Sequence, residues 1–348
     1  MRHLATIQTI EEILPIDGSD NIEKVRIKNW WCVTRKGEFS LGDKCVYFEI
    51  DSLLPSGNPI FSFLASGSKP KTVNFENVEY TGYRLKTIRL RGQISQGLAL
   101  PTSSFKEINE LVVGEDVSEI LGIVKYELPI PLELSGIVKG DFPSFIPKTD
   151  ETRIQNCGNI LEKHKDDLFY ITEKVDGCSS TFYKKDGVFG VCSRNIELLE
   201  SEGNVMWKMA KKYSLSDKLP EGFAIQGEII GNGIQGNNYK MMDQDLFIYN
   251  VFDINDTRYL NYADFIEFCE NLGLKTVPVL ADYSALPKLT VDELLEYADG
   301  ASVFGNGNIL REGIVIRPIT EQTEILDSIL TRFSFKVVSN KYLLAKGE

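Results

Sequence analysis

The sequence predicts an α+β chain in two parts, a small strand-rich barrel over residues 1–132 and a larger α+β domain over 133–348. Three observations carry that expectation. Before residue 130, short apolar or alternating stretches (Val25–Val33, Lys44–Ile50, Arg84–Leu90, Gly97–Leu100) are separated by turn signals such as Asp17-Gly18, Lys36-Gly37 and Leu41-Gly42. A Pro-rich passage, Pro129-Ile-Pro131 and then Pro143 and Pro147, marks the change of domain. Beyond it, β-like runs at Leu168–Glu173, Ser180–Lys184, Ala224–Ile230, Leu246–Ile254, Gly313–Arg317 and Arg332–Val338 alternate with helical segments. The helices are expected at Glu200–Tyr213, Tyr262–Asn271 and Thr290–Ala298, with Ser201 and Thr290 as caps.

Many short strands in so few residues suit an OB-like barrel, a common host for oligonucleotides. A barrel serving protein contacts fits the same pattern. Within it, Tyr80–Arg91 carries Arg84, Lys86, Arg89 and Arg91 with no acid among them, beside Tyr80 and Tyr83. Basic residues interleaved with aromatics suit a surface that tracks a phosphate backbone and stacks bases. The same charges would also blunt an exposed strand edge.

Composition limits the chemistry. The 348 residues hold 38 Lys and Arg against 50 Asp and Glu, a formal charge of −12. That balance opposes a nucleic-acid partner for the surface as a whole, yet net charge averages over faces that never meet a ligand. No apolar run approaches the ~20 residues of a membrane span, and the start lacks a signal-peptide core. A cytoplasmic or nuclear chain with no membrane partner is expected. None of the 6 cysteines forms a C-x-x-C pair and only 2 histidines are present. Zinc sites, disulfide frameworks and Ser-His or Cys-His catalysis therefore have little material, and reduced, mostly buried thiols are expected. Catalysis is left to lysine and carboxylates.

The informative segment is Glu173-Lys174-Val175-Asp176-Gly177, at the end of the apolar run Leu168–Ile171. Downstream, in fixed order, come Ser193-Arg194-Asn195, Gly227-Glu228-Ile-Ile-Gly231, Ile248–Ile254, Arg311-Glu312-Gly313 and Ser334-Phe-Lys336. Each lies at a strand or a strand end. A lysine amine attacks phosphorus only when deprotonated, and a neighbouring cation or burial lowers its pKa. Lys336 and bound metal could supply that effect at Lys174. Asp176, Asp253 and Glu312 are the carboxylates placed to hold divalent metal, directly or through water.

That ordered set resembles motifs I, Ia, III, IIIa, IV and V of the covalent nucleotidyltransferases, a superfamily of ligases and capping enzymes. Two features select a branch. The chain ends twelve residues after Lys336, so the downstream OB domain of DNA ligases and capping guanylyltransferases is not expected. The segment Phe145–Asn156 before the lysine is similar to that of nick-sealing RNA ligases. With the OB-like part upstream, the chain resembles ATP-dependent RNA ligases of the Naegleria/Deinococcus type.

The resemblance implies an OB-like domain followed by an ATP-grasp-like nucleotidyltransferase domain of antiparallel sheets flanked by helices. It implies an enzyme forming phosphodiester bonds in RNA repair, joining 3′-OH and 5′-phosphate ends through lysyl-AMP and adenylylated RNA. ATP is the implied substrate, Mg²⁺ or Mn²⁺ the metal, and RNA ends or a nicked duplex the partner of a monomer. Lys174 would take the adenylate and Lys336 would contact the α-phosphate. Glu173 would read the adenine amino group, Phe252 stack on adenine, and Glu228 hold the ribose hydroxyls. Arg153 and Arg194 would bind the adenylate phosphate or the RNA 5′-phosphate, where a guanidinium fork fits. Two positions depart from the pattern: Ser334 stands where many ligases carry a lysine, with Arg332 nearby, and Ser179 where relatives often have Asn or Arg. The alternatives are a capping guanylyltransferase or DNA ligase, or a non-catalytic RNA-binding protein on a ligase scaffold.

Overall fold

The computed structural model describes residues 3–75, 78–108, 112–127, 136–285, 290–305, 307–327 and 329–348. It divides into two compact units, Met1–Pro129 with Leu343–Glu348, and Ile130–Tyr342. The boundary expected at 132/133 lies outside the described residues.

The first unit is built of β1 (Ala5–Thr9), β2 (Glu12–Pro15), β3 (Ile22–Ile27), β4 (Trp30–Arg35), β5 (Lys44–Phe48) and β6 (Ser52–Pro55), continued by β7 (Lys71–Phe75), β8 (Val78–Arg84), β9 (Ile88–Leu90), β10 (Gln93–Ser95), β11 (Leu98–Pro101) and β12 (Val124–Lys125). They pair in short sheets of order β1-β5-β11, β2-β3-β4, β12-β6-β8-β7 and β10-β9. Inward residues of several sheets share one core around Ile7, Val46, Phe48, Leu54 and Phe61. There Phe61 meets the Phe48 ring edge-on at 5.5 Å, a preferred aromatic geometry.

Two single stretches of the sequence reading are each broken in the structure. Val25–Val33 folds back on itself, because Lys28 adopts φ +53 and makes a two-residue turn with Asn29. Arg84–Leu90 is split between β8 and β9. Arg84 donates to Asp51 at 2.8 Å and lies over the Tyr126 ring at 4.6 Å, whereas Lys86, Arg89 and Arg91 are exposed. The four cations therefore do not share one strand edge.

The second unit stacks apolar strands on two sheets. One runs β13 (Ile137–Asp141), β18 (Ile196–Leu199), β17 (Val188–Cys192), β16 (Cys178–Lys185), β19 (Phe223–Ile230), β20 (Asp245–Asp253) and β21 (Arg258–Tyr259), with β22 (Lys275–Thr276) also on β20. The other runs β14 (Thr152–Arg153), β27 (Phe335–Val338), β24 (Gly313–Pro318), β15 (Leu168–Lys174) and β23 (Val279–Ala285). A separate hairpin pairs β25 (Thr323–Leu326) with β26 (Ile329–Arg332). Pairing is antiparallel except for β14 with β27 and β20 with β22.

Helices pack against strands of both sheets. Val291–Ala298 buries Val291, Leu294, Leu295 and Ala298, one face at helical spacing, and starts on a capping box of Thr290 and Glu293. The helix expected from Glu200 instead covers Val205–Lys212, capped by Asn204 rather than Ser201. Asn204 accepts hydrogen bonds from the backbone of Met206 and Trp207, which satisfies two otherwise orphaned N–H groups. Five of the six cysteines are buried. Among the described residues, no helix is long and apolar enough to cross a membrane.

Candidate active site

A cleft opens in the second unit, lined by the ends of β15, β24 and β27 on one side and by β16, β19 and β20 on the other. The segment Thr149–Glu151 forms a further wall, held where Gln226 donates to the Pro147 carbonyl at 2.9 Å. Lys174 is the last residue of β15 and donates from Nζ to Glu312 Oε1 at 2.6 Å. Glu312 directly precedes β24, so the antiparallel pairing of Lys174 with Gly313 brings the amine and the carboxylate together.

Two glycines make this closeness possible. A Cβ on Gly177 would stand 2.4 Å from the Ile229 carbonyl oxygen and 2.9 Å from Glu228 Cγ. A Cβ on Gly313 would stand 2.2 Å from the Val337 carbonyl oxygen. Both obstacles are backbone, so the Asp-Gly and Glu-Gly pairs are packing requirements of the cleft.

The lining includes Glu173, Lys174, Arg194, Glu228 and Lys336 among the residues singled out in the sequence. Asp176 stands beside them: its carboxylate accepts from Asn238 Nδ2 and Tyr342 Oη, and its N–H donates to Tyr239 Oη at 2.7 Å. Glu173 is turned toward a neighbouring loop, accepting from Ser302 Oγ at 2.5 Å and from the Val303 N–H at 2.8 Å. Arg194 is exposed and paired with Asp150 at 2.6 Å. Arg153 does not line the cleft, although on β14 it is in register with Lys336.

Phe252 and Asp253 stand elsewhere. Phe252 shares the cleft face of the sheet, but it pairs with Ala224, four residues along β19 from Glu228. That places it about 13 Å further along. It is packed against Ile146 and Tyr183 in a closed apolar cluster. Asp253 is one residue further, where its Oδ1 caps a turn by accepting from the N–H groups of Asn255 and Asp256. Phe252 is 3% exposed, and one carboxylate oxygen of Asp253 holds a turn.

The side chains the sequence reading missed are Tyr249, Arg317 and Glu151. Glu228 pairs with Phe247 and Gln226 with Asn250, so β20 bulges between them, and Tyr249 on this stretch lines the cleft. Arg317 is 2% exposed, yet it lines the cleft, donating to Glu151 at 2.9 Å and to Ser334 Oγ at 3.0 Å. Ser334 thus supports one cation instead of supplying another. Arg332 lies away from the cleft, bonded to Asn250 at 2.7 Å and to Glu321, with its guanidinium 3.7 Å over the Tyr259 ring.

The electrostatics run opposite to the expectation for the nucleophile. Burial pulls the Lys174 amine down, but Glu312, Glu228 and Asp176 outweigh it and hold the amine above its ordinary pKa. Burial pushes Glu228 up to about 8, reinforced by Glu312 and Asp176 against the pull of Lys174 and Arg194. Glu312 is raised for the same first reason, burial. Lys174 and Lys336 thus face the carboxyl groups of Glu312, Glu228 and Asp176 in a low-dielectric site, where burial and like-charged neighbours favour the protonated form of Glu228. Glu312 Oε2 is buried without a hydrogen-bond partner. Among the described residues, no three acid, His or Cys side chains converge as a cage for a metal ion.

Residues 4–102 match the family profile of an OB-fold domain, and residues 167–338 match that of RNA ligase. No curated protein sequence matches the chain. Solved structures of Naegleria gruberi RNA ligase superpose on it. A mutant with AMP and Mn gives a TM-score of 0.87 and 42% identity, covering 98% of this chain and 98% of that one. A second mutant, with ATP and Mn, gives the same 0.87, 42%, 98% and 98%. The enzyme with PPi gives 0.87 and 42% over 99% of this chain and 98% of its own. Similar at that level over nearly its whole length, the chain belongs to the RNA ligase family.

Proposed function

We propose that this RNA ligase works through lysyl adenylylation, with ATP as donor and Lys174 as the nucleophile. The observation that carries the reading is the Lys174–Glu312 contact of 2.6 Å in a cleft that also holds Glu228, Arg317 and Lys336. Lys174 Nζ attacks the α-phosphorus, the P–N bond forms, and the bond to the β-phosphate oxygen breaks to release pyrophosphate. The amine must first lose a proton, and Glu312 Oε1 is the acceptor within reach. Lys336 stabilises charge developing on the α-phosphate, an effect strengthened in a partly dry cleft. A bound Mg²⁺ or Mn²⁺ would supply positive charge against the cleft carboxylates and the triphosphate.

The base is placed against Tyr249, the aromatic ring among the lining residues, with Val175 and Val277 beside it. Glu173 orders the loop at Ser302–Val303 on the same side of the lysine, and Glu228 faces the sugar. Arg194, at an exposed position, is placed for the RNA 5′-phosphate. Adenylate then passes to that phosphate, and the 3′-OH displaces AMP to close the RNA strand. The second unit is read as ATP-grasp-like, and the first as the holder of the broken RNA through Lys86, Arg89 and Arg91. Repair of RNA ends or nicks is the role these steps serve.

Labelling tests the reading directly. Incubation with α-labelled ATP and Mn²⁺ should leave a covalent label on the wild type and none on Lys174→Ala. Absence of label on the wild type, with the protein folded, would overturn lysyl transfer.

A further inference from the structure

Tyr249 and Ser179 form a contact that the chemistry above does not use. The Tyr249 hydroxyl lies 2.8 Å from Ser179 Oγ on β16. β19 runs between β16 and β20, so the side chain spans one whole strand. Two strand spacings amount to about 10 Å. Ser179 Oγ is in turn 3.4 Å from Thr149 Oγ1, and all three residues line the cleft. Burial first, and then the Glu228 carboxylate, hold the phenol well above its ordinary pKa, so it keeps its proton.

A tyrosine on a bulge has no strand partner to fix its direction; the apolar cluster of Val175 and Val277 packs against the ring, and the bond at its far end selects one staggered rotamer. We propose that Ser179 is a positioning residue for nucleotide binding: its hydroxyl pins the Tyr249 ring across β19, pre-orienting the flat surface on which a purine base stacks. The proposal rests on the nucleotide site described above and adds to it the residue that prepares the base-binding wall. Ordering the ring before binding removes a cost otherwise met when the base arrives. Because the latch acts on the ring, it concerns the base and not the phosphates, which meet Lys174 and Lys336.

Two ligands separate those parts. ATP and inorganic tripolyphosphate are titrated by calorimetry into the wild type, Ser179→Ala, Tyr249→Phe and the double variant. Each single variant deletes the Ser179–Tyr249 hydroxyl contact, Ser179→Ala together with the 3.4 Å approach to Thr149, so each should weaken ATP binding about fivefold, the worth of one ordinary hydrogen bond. The double variant should lose no more than either single one, because both remove the same bond. Tripolyphosphate affinity should stay at the wild-type value, and Ser179→Thr, which keeps the hydroxyl, should restore ATP affinity. Unchanged ATP binding in Ser179→Ala, additive losses in the double variant, or an equal loss of tripolyphosphate binding would each overturn the latch. Lysyl labelling of the same proteins tests the nucleotidyl-transfer reading independently, since the affinities decide the latch whether or not label is transferred.

Discussion

Replacing Gly177 by alanine tests whether the cleft depends on close approach of the lysine motif to β19. The new methyl would stand 2.4 Å from the Ile229 carbonyl oxygen, 2.7 Å from Ile230 Cγ2 and 2.9 Å from Glu228 Cγ. An ordinary contact needs about 3.4 Å, and the carbonyl is fixed by the pairing of Cys178 with Ile229. The turn at 175–177 must therefore move by about 1 Å, and Lys174 and Asp176 move with it. A misplacement of about 1 Å at reacting groups costs on the order of 10²-fold in rate. The overpacking should also remove about 1–3 kcal/mol of stability. Single-turnover labelling of Lys174 at saturating ATP, with calorimetric melting alongside, reads both effects. Gly187→Ala is the control: Gly187 has φ +74 with nothing within 4 Å of a built Cβ, so alanine there strains the backbone without crowding the cleft. It should lower the melting temperature and leave the labelling rate intact. A wild-type rate in Gly177→Ala, or equal rate losses in both variants, would refute the steric argument.

Other outcomes follow from the charges. Glu228, held at about 8, is largely protonated at neutral pH, and a cation bound beside it must displace that proton. Mn²⁺ affinity, followed by calorimetry, should therefore rise with pH up to about 8, and Glu228→Gln should flatten the rise. Asp245 accepts from Lys212, Lys275 and Tyr213, and its carboxyl is held at about 2 against 3.8; burial alone would raise it, so these bonds prevail. A folded-state pKa lowered in this way stabilises the fold above the unfolded value and loses its effect as the pH falls toward about 2. The full shift corresponds to about 2.4 kcal/mol. With both lysine partners half-exposed, Asp245→Asn should cost nearer 1 kcal/mol at neutral pH, and little in strong acid, by denaturant titration. In the first unit, Arg84→Ala should lower the melting temperature by breaking the contacts with Asp51 and Tyr126. Arg89→Gln and Arg91→Gln should leave melting unchanged, and each should reduce the salt slope of RNA binding by about one.

What was legible in the sequence depended on whether local periodicity survives in the fold. Lys174, Glu228 and Lys336 end or lie on short, mostly buried strands that read as apolar runs, so the strands that carry them could be located. β20 defeats a count of its faces. One bulge changes which residues of the strand share a face, and distance along the strand separates Phe252 from the cleft without changing its face. Nothing local to Phe252 announces that Ile146 covers it, since that contact joins residues more than a hundred positions apart. Arg317 escaped notice for a related reason: it closes an apolar strand and reads as the strand's end. Only the fold shows that Glu151 from one side and Ser334 from the other hold its guanidinium at the cleft. The apparent loss of a cation at Ser334 and the unremarked arginine at 317 are then one arrangement. A small hydroxyl just before β27 receives the long side chain of β24, so the positive charge at this wall of the cleft comes from the neighbouring strand.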